Sequence, residues 1–108
     1  MRNLNKRRHN APTLMDLLTP RQFRVTILVA SGLKDRQIAK SLRMSQHALK
    51  NCLRDILDRA GCQNRTELVL RHVYESQTGL YDEKELTERL AESRKWLESG
   101  LLKTRRRA

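Results

Sequence analysis

Apolar side chains recur along this chain at intervals of three and four residues, and no stretch alternates with the period of two that marks a half-buried strand. The pattern predicts five helices and an all-α fold. The first opens at Thr19-Pro20: Thr19 caps it, Pro20 suits the first helical position, and Gln22 completes a Thr-x-x-Gln capping box. Phe23, Ile27 and Ala30 follow at helical spacing, with Val25 and Leu28 alongside, and Gly32 stops the run. A short second helix fits Asp35 to Leu42, with Ile38, Ala39 and Leu42 on one face. Its cap falls to Asp35 or Lys34, and lysine is a poor cap. Arg43-Met44-Ser45 is a turn, and Ser45 caps a third helix that runs to about Ala60 and stops at Gly61. Asn64-x-x-Glu67 opens a fourth helix, Arg65 to about Ser76. Its apolar set is Leu68, Val69, Val73 and either Leu70 or Tyr74, and Gly79 breaks it. Asp82-x-x-Glu85 opens a fifth, ending near Ser99, with Leu86, Leu90 and Leu97 as its stripe and Trp96 beside it.

The third helix has two chemically distinct faces. Leu49, Leu53, Ile56, Leu57 and Ala60 form an apolar stripe. His47, Lys50, Asn51 and Arg54 lie opposite, at i, i+3, i+4 and i+7. A short helix, a tight turn and a longer helix with one polar face make the helix-turn-helix pattern. A helix that enters the major groove buries one face in its own domain and presents donors on the other. Lysine and arginine donate to guanine O6 and N7, and asparagine pairs bidentately with adenine. Lys50, Asn51 and Arg54 carry that chemistry. Ser45 sits at the helix N-terminus, where backbone N–H groups hold phosphate.

Charge points the same way. The 108 residues carry 23 Lys or Arg against 12 Asp or Glu, a formal net charge of +11, so polyanions are the expected partner class. Residues 1–17 hold four basic side chains against one acidic, a basic N-terminal arm. Residues 18–78, the helix-turn-helix domain, hold eleven against five. Residues 79–108 hold eight against six, divided between an acidic-leaning helix at 82–98 and a basic tail of Lys103, Arg105, Arg106 and Arg107. These three segments are the expected organisation. The tails read either as solvated charge or as arms that add phosphate or groove contacts.

Composition removes other classes. The longest uninterrupted apolar run is Ile27–Ala30, too short to span a bilayer. The basic start lacks a following apolar core, so no secretory signal is read, and Cys52 and Cys62 are expected as free thiols in a cytoplasmic, nucleoid-associated protein. Four aromatics are too few for a base-stacking platform on single strands. His47, Cys52, Cys62 and His72 stand five, ten and ten residues apart, which matches no familiar zinc spacing, and no metal or cofactor is expected. Asn64-Arg65-Thr66 is formally a glycosylation sequon but reads better as a helix cap. No Ser-His-Asp set, paired carboxylates or Gly-rich phosphate loop supports an enzyme.

Leu18-Thr19-Pro20-Arg21, Gly32-Leu33, Ile38-Ala39, Leu42, Ser45, Lys50, Leu53, Ile56-Leu57, Gly61 and Asn64-Arg65-Thr66-Glu67 stand in one order and spacing. In this the stretch from Leu18 to Ser76 resembles the LuxR/GerE-type DNA-binding domain. The resemblance implies a four-helix helix-turn-helix domain whose third helix reads the major groove and whose fourth often forms a dimer interface, here with an additional C-terminal helix. It places Lys50, Asn51 and Arg54 at base-contacting positions and His47 where base or phosphate is often touched. Ala48 stands where the family usually has Thr, Gln22 and Arg24 where acidic residues are usual, Lys34 where a Ser or Thr cap is usual, and Cys52 where His is frequent. Only seventeen residues precede the module, so the expected form is the stand-alone, GerE-like one without a receiver or ligand-sensing domain.

The resulting expectation is a sequence-specific regulator of transcription that binds double-stranded DNA as a homodimer. Ser45, His47, Lys50, Asn51 and Arg54 contact DNA, although His47 in the first turn has solvent as its alternative. Val69, Val73, Leu86 and Leu90 are the candidate dimer face. Val69 and Val73 have closure of the monomer core as their alternative, and the fifth helix has packing on its own domain or docking another protein. An alternative function is an interaction module for RNA polymerase or another regulator, motivated by the acidic helix at 82–98. A third is nonspecific nucleoid binding driven by the tails.

Overall fold

The computed structural model describes the backbone of residues 11–107 and the side chains of residues 11–95. All regular structure among them is helical: α1 (Leu14–Leu17), α2 (Pro20–Ala30), α3 (Asp35–Ser41), α4 (Gln46–Ala60), α5 (Arg65–Gln77) and α6 (Glu83–Arg107). Arg2, Lys6, Arg7 and Arg8 of the basic arm lie outside the described residues, as do the side chains of Trp96, Leu97, Lys103 and Arg105–Arg107.

Helix α2 is the hub, and every other helix packs against it. Its start follows from local chemistry. The Gln22 N–H donates to Thr19 Oγ1 at 3.1 Å, and the Thr19 N–H donates to Gln22 Oε1 at 3.1 Å. Phe23 and Val25 are fully buried, and Ile38, Leu49, Ile56 and Leu68 from the surrounding helices close over them. Full burial of each large apolar side chain contributes roughly 1.5–3 kcal/mol. Thr26 is buried too, with its hydroxyl donating to the Gln22 carbonyl at 3.0 Å.

Two boundaries differ from the sequence expectation. The fold begins before Leu18, because Leu14 and Met15 are buried in the same core. They sit on α1, which has its own capping box: the Asp16 carboxylate accepts from the Thr13 N–H at 2.9 Å. Four helical residues are too few to show a period, so this turn left no hydrophobic signature. At the other end α6 does not stop near Ser99 but continues through Gly100 to Arg107. An isolated glycine costs a helix only about 1 kcal/mol relative to alanine, and the residues after it are good helix formers with no proline.

Helix α6 is part of the domain. Leu86 and Leu90 pack on the core, and Tyr81 ahead of the helix meets Phe23 edge-on, ring centroids 5.2 Å apart. Polar bonds fix its register on α2: Arg24 Nε donates to Ser93 Oγ at 2.9 Å, and Arg89 Nη1 donates to the Leu18 carbonyl at 2.9 Å. Arg24 therefore has a partner supplied by the helix that extends the module.

Helix α5 turns a partly polar face inward. Leu68 is buried, but so is Glu75, whose carboxylate accepts from the Leu14 N–H at 2.9 Å and from Arg71 Nε at 3.0 Å. Arg71 also donates to the carbonyls of Ala60 and Pro12, both at 2.7 Å. One ion pair thus ties α1, the end of α4 and α5 together. The sequence reading needed Leu70 or Tyr74 to complete this face. Both are instead exposed, at 63% and 57%, because Arg71, His72 and Glu75 take the inward positions.

Candidate nucleic-acid interface

The turn between α3 and α4 sets how α4 is presented. Helix α3 ends in a paired reversal: the Met44 N–H donates to the Ala39 carbonyl at 2.9 Å and the Arg43 N–H to the Lys40 carbonyl at 3.2 Å. This closure requires a left-handed residue, and Arg43 takes it at φ 58°. At the start of α3, Lys34 has no side-chain acceptor to offer. Gln37 compensates in part, its Oε1 accepting from the Lys34 N–H at 2.9 Å. Asp35, in the first turn, pairs with Arg65 at the head of α5.

Helix α4 then starts at Ser45, whose Oγ accepts from the Ala48 N–H at 3.0 Å. A hydroxyl that accepts this bond keeps its own proton to donate. Leu49, Ile56 and Ala60 are buried, and Leu53 and Leu57 pack half-buried beside them. His47, Lys50, Asn51 and Arg54 are exposed on the other side. The left-handed Gly61, at φ 70°, ends the helix.

The comparison with protein families decides the identity of this arrangement. Residues 16–72, just over half of the chain, match the model of the bacterial regulatory proteins of the luxR family, GerE. The chain belongs to the luxR family. No curated protein and no solved structure matches it. The luxR-family match identifies a DNA-binding transcription-regulator domain, and α3, the turn and α4 are its helix-turn-helix.

Electrostatics concentrate on that motif. Between Lys34 and Arg54 the luxR-family domain carries six Lys or Arg and one acidic residue, Asp35. The remaining basic side chains of the domain are engaged internally. Arg59 pairs with Asp55 at 3.2 Å, Arg71 with Glu75, Arg65 with Asp35, and Arg24 bonds Ser93. Asp55, the acidic neighbour of Arg54, is held by Arg59 and by the Gln22 side-chain amide. Gln22, where the family usually has an acid, thereby meets the Asp55 carboxylate as a donor rather than as a second negative charge.

The other titratable groups are inward-facing. Cys52 is half-buried, and desolvation raises its pKa; the nearby Asp55 charge adds to this and Arg21 opposes it. The thiol is therefore protonated near neutrality, and its place beside the polar stripe does not make it a nucleophile. His72 packs beside the Phe23–Tyr81 pair, with ring centroids 5.9 and 5.6 Å from them. Burial lowers its pKa, with Glu75 partly opposing. Tyr81 is pushed the other way by burial and by Glu75. Both are thus neutral, and the Tyr81 hydroxyl and His72 Nδ1 lie 2.9 Å apart, within hydrogen-bond distance. Among the described residues no group of three His, Cys, Asp or Glu is placed to hold a metal ion. Nor is any described helix long and apolar enough to cross a membrane.

The four candidate dimer residues separate. Val69, Leu86 and Leu90 are partly buried on the domain's own core. Val73 is 37% exposed and joins Leu70 and Tyr74 in an apolar patch on α5. That patch borders a groove of about 220 Å³ between α2 and α5, lined by Ile27, Ala30, His72 and Val73 among others. Leu70 and Tyr74 were missed as surface residues because helical period alone does not tell which of two apolar flanks faces inward.

Proposed function

We propose that this luxR-family chain regulates transcription by laying α4 in the major groove of duplex DNA. Lys50, Asn51 and Arg54 contact base edges, and Ser45 and His47 engage the phosphate or base at the groove wall. The observation that carries this reading is the exposed polar stripe on α4, backed by a buried apolar stripe that holds it rigidly. Each bidentate base contact contributes about 1–3 kcal/mol of discrimination. The test is selection from a random-duplex library by the wild-type protein and by Lys50→Ala and Arg54→Ala. The expected result is relaxed preference at one or two positions in each variant. Selection of the same site by both variants would refute the assignment.

The protein acts as a homodimer on DNA, with Leu70, Val73 and Tyr74 of α5 meeting their copies across a two-fold axis. An isologous contact of this kind needs one self-complementary patch, and α5 offers an exposed apolar one. Leu86 and Leu90, being packed inward, lie outside that interface. The functional unit comprises Thr13 through α6, with the N-terminal arm ahead of it, in the cytoplasm at the nucleoid.

A second reading rests on α6. Glu88 and Glu92 are exposed one turn apart, next to a neutral-to-acidic start at Asp82 and Glu83. In this reading the acidic face recruits RNA polymerase or another regulator. Capture of such a partner that survives nuclease and is lost in Glu88→Lys/Glu92→Lys supports it; capture that disappears with the DNA does not.

A further inference from the structure

We infer that Ala48 selects a thymine: its methyl group packs on the 5-methyl of one thymine in each half-site, so that this chain discriminates thymine from cytosine and uracil there. The inference rests on the placement of α4 in the groove, and adds a base chemistry that Lys50, Asn51 and Arg54 do not have. Every other exposed residue of α4 carries a polar or charged group, and Ala48, in the first turn, is the exception. Helical side chains lean toward the helix N-terminus, the end by which a reading helix meets base edges. Ala48 stands one turn before Asn51, on the flank of the polar stripe away from Lys50.

That flank has little to offer a polar base edge. The Ala48 side chain has no donor or acceptor, and the Ala48 N–H is already taken by Ser45 Oγ at 3.0 Å. Cys52, one turn further along, is half-buried on the core, and a thiol is a weak donor at most. Asp55, beyond it, is held by Arg59 and the Gln22 amide. In the major groove adenine, guanine and cytosine present only donors and acceptors, and thymine alone adds a hydrocarbon group, its 5-methyl. A polar edge pressed on Ala48 loses water and gains no partner, which is unfavourable. Two methyl groups in contact instead remove apolar surface from water. The family usually has Thr at this position, with a hydroxyl that can serve a polar edge. The methyl preference therefore follows from this chain's own residue.

The test uses the duplex selected by the wild-type protein, remade with uracil in place of each thymine in turn, so that one methyl group is removed and every hydrogen-bonding group is kept. Wild-type affinity is expected to fall about fourfold at one thymine per half-site, the equivalent of one buried methyl group. Cytosine at that position should bind more weakly still, and 5-methylcytosine should recover about fourfold over cytosine. In Ala48→Gly the thymine-to-uracil ratio is expected to fall to about one. Glycine weakens a helix, but a lower folded fraction scales both affinities alike and leaves their ratio unchanged. If Ala48→Gly does not fold, Ala48→Ser takes its place, and its hydroxyl should lower the same ratio. A selected site without a required thymine overturns the inference, as does a site at which uracil binds as well as thymine throughout. A methyl dependence that persists undiminished in the variant also overturns it, because another residue then makes the contact. The two proposals fail differently. If the wild-type protein has no preferred site, base reading by α4 fails and Ala48 with it. If Lys50→Ala and Arg54→Ala relax the site while no thymine depends on Ala48, only this inference fails.

Discussion

Removing the Glu75 carboxylate should destabilise the domain more than any exposed charge change. Its side chain is only 6% accessible, and it accepts bonds from the Leu14 N–H and Arg71 Nε at 2.9 and 3.0 Å. Glu75→Ala leaves the Leu14 N–H without its acceptor inside the core, at about 1–3 kcal/mol. It also leaves the Arg71 guanidinium, 27% accessible, without its counter-charge. Breaking a fully buried pair from one side costs about 3–5 kcal/mol. The partial exposure of Arg71 and its bonds to the Ala60 and Pro12 carbonyls place this case near the lower end, about 3 kcal/mol. Glu75→Gln keeps an acceptor for Leu14 and removes only the charge, so it should cost about half as much. Arg71→Ala should cost a similar amount to Glu75→Ala, and the double variant less than the two together by about 1–2 kcal/mol. Urea denaturation of the four proteins at neutral pH measures all of these. A small domain has about 5–15 kcal/mol in total, so the loss is large enough to resolve. Additive single changes, or a Glu75→Ala midpoint within error of wild type, would refute the claim that this pair ties α1 and α4 to α5.

His72 carries a pH dependence. Burial holds its pKa below the ordinary value near 6.5, so below that pH the unfolded chain takes up a proton that the native state resists. Stability is therefore full above about pH 6.5 and falls as the pH drops toward the depressed native value. Urea midpoints at pH 7.5, 6.5 and 5.5 should decline in that order and flatten in His72→Gln; a rise on acidification would contradict the burial account. Cys52, raised by desolvation, should react with a thiol-specific disulfide reagent more slowly in the native protein than in urea at pH 8. Equal rates would show the site to be open.

Much of the fold was legible because its signals are local. The Thr19–Gln22 and Asn64–Glu67 caps, Gly61, and the apolar stripe of α4 involve residues within one or two turns of each other, and their spacing carries the geometry. The polar stripe His47, Lys50, Asn51 and Arg54 was legible for the same reason. Helix α1 was not, since one turn shows no period, and neither was the continuation of α6 past Gly100, since one glycine marks a break only when tertiary packing lets the chain leave the helix.

By itself, then, the sequence determined the helices α2 to α5, the helix-turn-helix and the excess of positive charge, all through interactions between near neighbours. What only the tertiary structure decided is which charges remain for a partner. Arg65 and Lys50 are alike in sequence as basic residues on amphipathic helices. Arg65 is engaged by Asp35, thirty positions away, and Lys50 is not. Glu75 is buried and Glu88 exposed for the same reason, that packing brings distant segments to one and solvent to the other. Leu86 and Leu90 turned toward α2 because Arg24 and Arg89 lock α6 there, whereas Leu70 and Tyr74 were left outside once Arg71 and Glu75 had taken the inner face. Pairing across long sequence separations depends on where whole helices come to rest, and no local period encodes that.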